Sequence, residues 1–279
     1  MNNFLIRYAV GDSFLERLSG KTKVLLFFSS ITLMMATFDL RIILPLFIVQ
    51  CVLLKGVYRQ ERAIVFVVRF VVVMNLINLL LFYAVNPITG TDLTGTVTEL
   101  FRFNDFYLVT YETLIYFVTR LLKIFGTLVI SLWFVLSITP SQLAAGLYQL
   151  GVPYKICTML SLGLRYIPDV HRDYMDIKES MQMRGLELDA KKASLWTRLK
   201  ANVSILVPLL LVSFEKVDVI ASAMDLRGYG QQKKRSYYSE QEVTRDDKKI
   251  QLLAFVQFVI LGVYLVLFFM GLAPKLWLP

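Results

Sequence analysis

The feature that most constrains this chain is a series of long apolar runs. The cleanest of them, residues 250–272, has the length of about 20 apolar residues that a helix needs to cross a bilayer. Two other runs, residues 63–85 and 113–138, are at least as long, and a shorter pair, 24–38 and 42–54, is separated by a brief polar stretch. We therefore expect an all-α membrane protein with about five transmembrane helices.

Composition and charge support a membrane protein. Only 18% of the residues are charged and 56% are hydrophobic, whereas soluble domains carry about a quarter charged residues. The net charge of +9 is expected to come from basic cytoplasmic loops rather than from nucleic-acid binding. The positive-inside rule then predicts a cytoplasmic N-terminus and an outside C-terminus, because basic residues gather before the first run and between the second and third. They are Arg7, Arg17, Lys21, Lys23, Lys55, Arg59 and Arg62.

The fourth apolar run contains two cations, Arg120 and Lys123. A cation facing lipid in the middle of a bilayer is costly. We therefore expect both to lie at one membrane interface, which leaves residues 124–138 as the apolar part of the span. The alternative for the arginine is to face other helices.

The remaining stretch, residues 139–249, holds most of the charge and falls on the expected cytoplasmic side. It opens with Thr139-Pro140-Ser141-Gln142, which has the signature of a helix start: Thr139 as N-cap and proline at the first helical position. Gly151 to Pro153 ends that short helix. The expected division is a cytoplasmic N-terminal segment 1–23, four transmembrane helices in 24–138, a helical domain 139–249, and a last transmembrane helix with the C-terminus in 250–279.

Two long helices follow within this domain. From residue 154 to 185, apolar or small residues recur at alternating spacings of four and three, which marks one face of a long helix. A second pattern of this kind runs from 194 to 228. Pro168 and Pro208 lie near the middle of the two patterns, and each is expected to bend its helix. Residues 203–214 are apolar on nearly all sides, so we expect them to be buried in protein or in the bilayer.

Both long helices end in the same short motif, MQMRG at residues 181–185 and MDLRG at residues 224–228. In each copy the glycine takes the C-cap position that favours left-handed backbone, and the arginine suits the dipole of the last turn. Helix termination explains either copy alone, and packing between the helices explains the methionines equally well. The recurrence indicates two helix tips of matching chemistry, suited to two similar partners or to one symmetric dimer. The candidate contact residues are Met183, Arg184, Gly185, Leu226, Arg227 and Gly228.

The sequence offers little chemistry, and we expect no catalytic residue, no cofactor and no metal. The single histidine, His171, rules out an HExxH zinc site, and no GxxxxGK[ST] phosphate-binding loop occurs. Charged residues on the first long helix are typical of a surface ion-pair network. They include Asp169, Asp173, Asp176, Arg165, Arg172 and Lys178.

Several stretches, taken in order, resemble the T component of energy-coupling-factor importers, a class of ABC vitamin transporters. They are GDSFLERLSGKTKVLL (residues 11–26), SITPSQLAAGLYQLGVPYK (137–155), LRYIPDV (164–170) and the two Arg-Gly motifs. The family often has alanine before each arginine, where this chain has Met183 and Leu226. The likeness spans nearly the whole chain, and the ordered combination of stretches is specific.

The resemblance implies a multi-pass scaffold in the bacterial cytoplasmic membrane, with the domain 139–249 as a cytoplasmic coupling domain of one short and two long crossed helices. Its partners would be two ABC-type ATPases and a membrane-embedded S component that binds the vitamin or metal ion. Arg184 and Arg227 would each reach acidic residues of one ATPase. ATP would be hydrolysed by the partners, and Pro168 and Pro208 would lie in the helices that transmit the motion.

Two other function classes stay open at this stage. An intramembrane enzyme needs clustered ionisable or nucleophilic groups within the spans. The main polar residues of the third span are Asn75 and Asn78, and they do not form a pair of a general acid and a general base. A conventional ABC permease subunit would carry one coupling motif per chain and form a homodimer, whereas this chain carries two motifs.

Overall fold

The computed structural model describes residues 14–57, 62–86, 98–102, 108–185, 195–231, 241 and 243–271, and within them it forms eight helices and two short strands. The helices are α1 (Gly20–Ala36), α2 (Leu40–Val57), α3 (Arg62–Val85), α4 (Tyr111–Ser137), α5 (Pro140–Gln149), α6 (Tyr154–Met183), α7 (Leu195–Leu226) and α8 (Arg245–Phe269). Strands β1 (Glu99–Arg102) and β2 (Leu108–Thr110) pair antiparallel. The all-α fold class is confirmed, and the small strand pair is an addition that the apolar pattern did not predict.

Four helices of the described chain, α2, α3, α4 and α8, are long and apolar enough to cross a membrane. They coincide with four of the five apolar runs. The remaining run forms α1, which has 17 residues, so a fifth crossing stays a prediction. Residues 1–13 of the expected N-terminal segment, and residues 272–279 after α8, lie outside the described residues.

The chain forms two compact units, one of Met1–Leu150 with Glu240–Pro279 and one of Gly151–Ser239. In the first unit, α1 packs against α2, α4, α5 and α8. Leu26 and Met34 of α1 are fully buried and form an apolar core with Ile130 and Trp133 of α4. Within a bilayer such a core is held together by close packing rather than by the hydrophobic effect, since lipid tails are equally apolar.

A chain of buried polar side chains joins four helices of this unit. The Trp133 indole N–H donates to Gln50 Oε1 at 2.7 Å, and Gln50 Nε2 donates to Ser30 Oγ at 2.9 Å. Ser29 Oγ and Ser30 Oγ both donate to Gln257 Oε1, at 2.6 and 3.1 Å. Because a buried polar group without a partner is costly, this network specifies how α1, α2, α4 and α8 align.

The two cations of α4 both contact neighbouring helices, a placement that was expected only as the alternative for the arginine. Lys123 Nζ donates to the backbone oxygen of Met35 at 2.8 Å, near the end of α1. Arg120 donates to Asn78 Oδ1 of α3 at 3.0 Å, and its guanidinium lies 4.2 Å from the centre of the Phe82 ring. These contacts satisfy both charges within the helix bundle.

Helix α5 begins as the sequence predicted. The Thr139 side chain accepts from the Gln142 backbone N–H, and the Gln142 side chain accepts from the Thr139 N–H, which makes a capping box with Pro140 at the first helical position. The helix ends at Gln149, and Gly151 follows with a φ of 99°.

Candidate functional site

The second compact unit is built on α6 and α7, which run in opposite directions. At the beginning of α6 the Tyr154 ring lies 6.0 Å from the ring of Tyr229, which follows the end of α7. Farther along α6, Asp173 forms an ion pair with Lys216, which precedes the end of α7 by several turns. As α6 advances, its contacts therefore move back along α7, which defines an antiparallel pair.

The antiparallel arrangement separates the two Arg-Gly motifs. A helix rises about 1.5 Å per residue, so the 30 residues of α6 extend about 45 Å. One motif ends α6 and the other ends α7. The end of α7 lies close to the first turn of α6. The two motifs consequently lie at opposite ends of the helix pair, roughly 40 Å apart.

The tip of α7 is closed by a Schellman motif. Gly228 has a φ of 67°, in the left-handed region. Its N–H donates to the Asp225 oxygen at 2.9 Å, and the Tyr229 N–H donates to the Met224 oxygen at 3.0 Å. These are the two hydrogen bonds that define this type of helix end, and the left-handed residue in it favours glycine.

The tip of α6 shares the left-handed glycine and one of these two hydrogen bonds. Gly185 has a φ of 90°, and its N–H donates to the Gln182 oxygen at 3.0 Å. Arg184 is the C-cap residue, and its N–H bonds back to the Met181 oxygen at 3.1 Å. The left-handed glycine expected at the end of each long helix is confirmed, and each arginine is the residue directly before it.

The side chains at the two tips match in exposure. Met183 and Leu226, each directly before its arginine, are 83% and 90% exposed. Arg184 and Arg227 are exposed, and neither guanidinium forms an ion pair with any described residue. Among the described residues, each tip thus presents an exposed apolar side chain beside an arginine without an ion-pair partner, a combination that fits a groove lined with carboxylates.

The first methionine of each motif has a different environment from the rest of the tip. Met181 and Met224 are half-buried, unlike the exposed residues two positions later. For these two methionines the structure favours packing over contact with a partner.

The ion pair between the helices corrects the surface network expected on α6. Arg172 does pair with Asp169 along the helix at 3.6 Å. Asp173 instead binds Lys216 of α7, whose ammonium lies 5.9 Å from the centre of the Tyr166 ring. The hydrogen bond to Asp173 raises the pKa of Lys216. Helical spacing identifies possible partners within one helix only, so it could not predict a bond to another helix.

Both prolines lie inside their helices, Pro168 in α6 and Pro208 in α7. The helices continue through them, and the expected bends stay a prediction. The apolar stretch 203–214 of α7 is largely uncovered by its own chain. Ile205 is fully buried and Leu209 and Val212 are partly buried, whereas six other large side chains are about half exposed or more. They are Val203, Leu206, Val207, Leu210, Leu211 and Phe214.

The structure also brings together two motifs that are far apart in the sequence. Lys23 is fully buried, and its ammonium donates to the Ser137 oxygen at 2.8 Å, the Glu16 oxygen at 3.1 Å and Gln142 Oε1 at 3.1 Å. Burial lowers the pKa of Lys23, one residue before the first apolar run, to about 8, against the opposing influence of Glu16 and Asp247. The sequence signal was a lysine beside the apolar run, which is equally typical of a side chain that reaches the membrane surface.

No three His, Cys, Asp or Glu side chains among the described residues come close enough to hold a metal ion. His171 is exposed on α6. What the described residues do offer is a pair of helix tips, each with an exposed arginine beside an exposed apolar side chain.

A model of the cobalt transport protein family, CbiQ, matches residues 11–238. This match contains α1 to α7 and both tips. The chain belongs to this family. It is a membrane protein of a transport family, and the resemblance stated from its motifs is confirmed.

Relatives with a more specific description align along most of the chain. The energy-coupling factor transporter transmembrane protein EcfT of Bacillus selenitireducens is 28% identical over 244 residues, which cover 84% of this chain and 86% of that protein. EcfT of Lactococcus lactis subsp. cremoris is 27% identical over 238 residues, with coverage of 82% and 85%. EcfT of Streptococcus equi subsp. equi is 28% identical over 272 residues, with coverage of 93% and 94%.

Proposed function

We propose that this chain is the transmembrane T component of an energy-coupling-factor importer in the bacterial cytoplasmic membrane. In this role it is a non-catalytic scaffold that binds two ABC-type ATPase subunits and a membrane-embedded S component. The ATPases hydrolyse ATP, and the S component binds the vitamin or metal ion to be imported. The similarity to proteins named EcfT over more than four fifths of the chain supports this role.

The observation that carries the proposal is the duplicated tip. Two helix ends share three features: a left-handed glycine, an exposed apolar side chain before the arginine, and an arginine with no ion-pair partner among the described residues. They lie at opposite ends of one helix pair. A separation of roughly 40 Å is too large for one small groove to bind both tips. It suits two separate partner subunits, each with an acidic groove that accepts one helix end.

The exposed apolar side chains of residues 203–214 suit the second type of partner. A continuous apolar surface of this kind is not covered by the described chain, and such surfaces mark contact with lipid or with another protein. In the proposed assembly the S component packs here. Motion of the ATPases would then displace α6 and α7, bent at Pro168 and Pro208, against the S component.

The proposed topology follows from loop charge. Basic residues flank the first helices on the side that carries the N-terminus, and the same side carries the domain 139–249. Segment 1–23 and this coupling domain are therefore cytoplasmic, while segments 24–138 and 250–279 hold the membrane helices. The ATPases are cytoplasmic in this arrangement, where ATP is available.

Charge reversal at the tips tests the proposal. Arg184→Glu and Arg227→Glu should each insert into the membrane normally but retain less ATPase when the affinity-tagged chain is purified from its native membrane. Breaking a desolvated interface charge pair costs about 2–5 kcal/mol, so binding at the altered tip should fall by more than about 30-fold. The double variant should retain neither ATPase.

Arg165→Glu is the matched control, because Arg165 is an exposed arginine on α6 that lies away from both tips. It should retain both ATPases. Normal recovery of ATPase subunits and normal uptake in the double tip variant would show that the assigned role is wrong.

A further inference from the structure

The first turn of α1 is bonded to α5 through a buried cation. Lys23 Nζ reaches the Ser137 oxygen, the last residue of α4, and Gln142 Oε1 in the first turn of α5. Gln142 also closes the capping box of α5 with Thr139. One lysine thereby holds both the end of α4 and the beginning of α5, and a hydrogen bond to a buried charge is stronger than one between neutral groups.

A direct backbone contact reinforces this bond. Gly20 of α1 and Gly146 of α5 lie so close that a Cβ atom added to Gly146 would be 2.5 Å from the Gly20 carbonyl carbon. A Cβ added to Gly20 would be 2.1 Å from the Gln142 backbone oxygen. Because these neighbours are backbone atoms, they cannot rotate aside as a side chain would, so α5 and α1 are in direct backbone contact with no room for a side chain between them.

The same turn of α1 is bonded to the beginning of α8. The Ser19 N–H and the Ser19 hydroxyl both donate to Asp247 Oδ1, at 2.9 and 3.0 Å. One turn farther along α8, Gln251 Nε2 donates to Thr22 Oγ1 at 2.9 Å. Ser19, Thr22 and Asp247 are all buried, so water does not compete for these bonds.

These contacts have a topological consequence. Helix α5 precedes the unit Gly151–Ser239 in the chain, and α8 follows it. Only Leu150 to Pro153 connect α5 to α6. The chain enters and leaves the unit that carries both tips through α5 and α8, and both helices are bonded to the first turn of α1.

We propose that the first turn of α1 is the anchor through which motion of α6 and α7 enters the membrane helices, with Lys23, Gln142 and Asp247 as its positioning residues. The inference rests on the function proposed above. A helix that is fixed at this turn passes a displacement on to α1, whereas a loosely held α5 or α8 would tilt and absorb it. The anchor residues contact neither substrate nor nucleotide.

The test uses the intact complex in lipid nanodiscs, with amide hydrogen exchange measured before and after addition of Mg²⁺ and ATP. In the native complex, ATP should change the exchange rates both at the two tips and in the first two turns of α1. In Gln142→Leu, which removes one acceptor from Lys23, the response at the tips should remain. The ATP-dependent change in the exchange rates of α1 should fall about tenfold. The loss of one hydrogen bond to a charged group is large enough to account for this factor.

Two further variants separate coupling from folding. Gln142→Glu keeps an acceptor for both Lys23 and Thr139, so it should restore the response in α1. Thr32→Val removes a hydrogen bond within α1 itself, from Thr32 Oγ1 to the Phe28 oxygen, and should leave both responses unchanged.

The anchor is overturned if ATP changes hydrogen exchange in α1 as strongly in Gln142→Leu as in the native complex. It is also overturned if ATP changes exchange at the tips of the native complex but not in α1. Loss of ATPase binding in Gln142→Leu would assign the residue a purely structural role and would overturn it too. If ATP does not change hydrogen exchange at the tips of the native complex, the result contradicts the proposed function instead.

Discussion

The buried bond between Gln50 and Trp133 gives the sharpest prediction on stability. Both side chains are fully buried, and they join α2 to α4 through a hydrogen bond of 2.7 Å. Gln50→Leu keeps a side chain of similar size but removes the acceptor. The Trp133 N–H is then left buried and unsatisfied, and Ser30 loses the donor that reaches it at 2.9 Å.

The magnitude follows from these two losses. An orphaned buried donor costs about 1–3 kcal/mol, while side-chain hydrogen bonds measured between membrane helices average about 0.6 kcal/mol and reach about 1.7 kcal/mol. We therefore expect Gln50→Leu to lower the free energy of unfolding by about 1–2 kcal/mol. Trp133→Phe removes the donor, and its cost includes lost packing.

A double-mutant cycle isolates the bond from the packing. The free energy of unfolding is measured in mixed detergent micelles for Gln50→Leu, Trp133→Phe and the double variant. The double variant should lose about 1 kcal/mol less than the two single losses added together. The reason is that neither the Trp133 N–H nor the Gln50 oxygen is left without its partner. Thr127→Val, which removes only an intrahelical bond to the Lys123 oxygen, should change stability by less than about 0.5 kcal/mol. Additivity of the two single variants within about 0.3 kcal/mol would refute the reasoning.

Two predictions concern the helix pair. Asp173→Lys should lower the melting temperature of the purified chain, because it places two ammonium groups together. The swapped pair, Asp173→Lys with Lys216→Asp, should recover most of the loss. Equal melting temperatures for the native chain, the single variant and the swapped pair would contradict the ion pair. Gly228→Ala should speed amide hydrogen exchange at Tyr229, because a side chain in left-handed backbone costs about 1–2 kcal/mol. Gly163→Ala, within α6 and with open space around it, should slow exchange in α6, because glycine inside a helix is about 0.5–1 kcal/mol less favourable than alanine.

Helix positions and helix ends could be predicted from the sequence because their causes are local. The apolar runs located four candidate spans, and the Thr139 capping box and the glycines at 185 and 228 marked ends that the structure reproduces within a few residues. The strand pair β1 and β2 was missed, since each strand has only three or four residues, too few for an alternating pattern.

The contacts between distant residues could not be predicted in the same way. Lys23 and Gln142 are 119 residues apart, and Ser19 and Asp247 are 228 apart. Periodicity carries no information about such pairs, so Lys23 was counted as one more basic residue at a membrane boundary. Likewise, the repeat of the Arg-Gly motif revealed two tips, but their positions at opposite ends of an antiparallel pair required the Asp173–Lys216 and Tyr154–Tyr229 contacts.

Cross-linking from the two tips tests the central claim most directly. Met183→Cys and Leu226→Cys place a thiol on a strongly exposed residue of each motif, and the native chain, with Cys51 and Cys157, gives the background. Phe269→Cys, 85% exposed at the far end of α8, is the control. With a short thiol-reactive cross-linker applied to native membranes, each tip variant should form an adduct with an ATP-binding subunit, and the double variant an adduct with two. The claim is contradicted if neither tip cross-links to an ATP-binding protein, or if Phe269→Cys does so equally well.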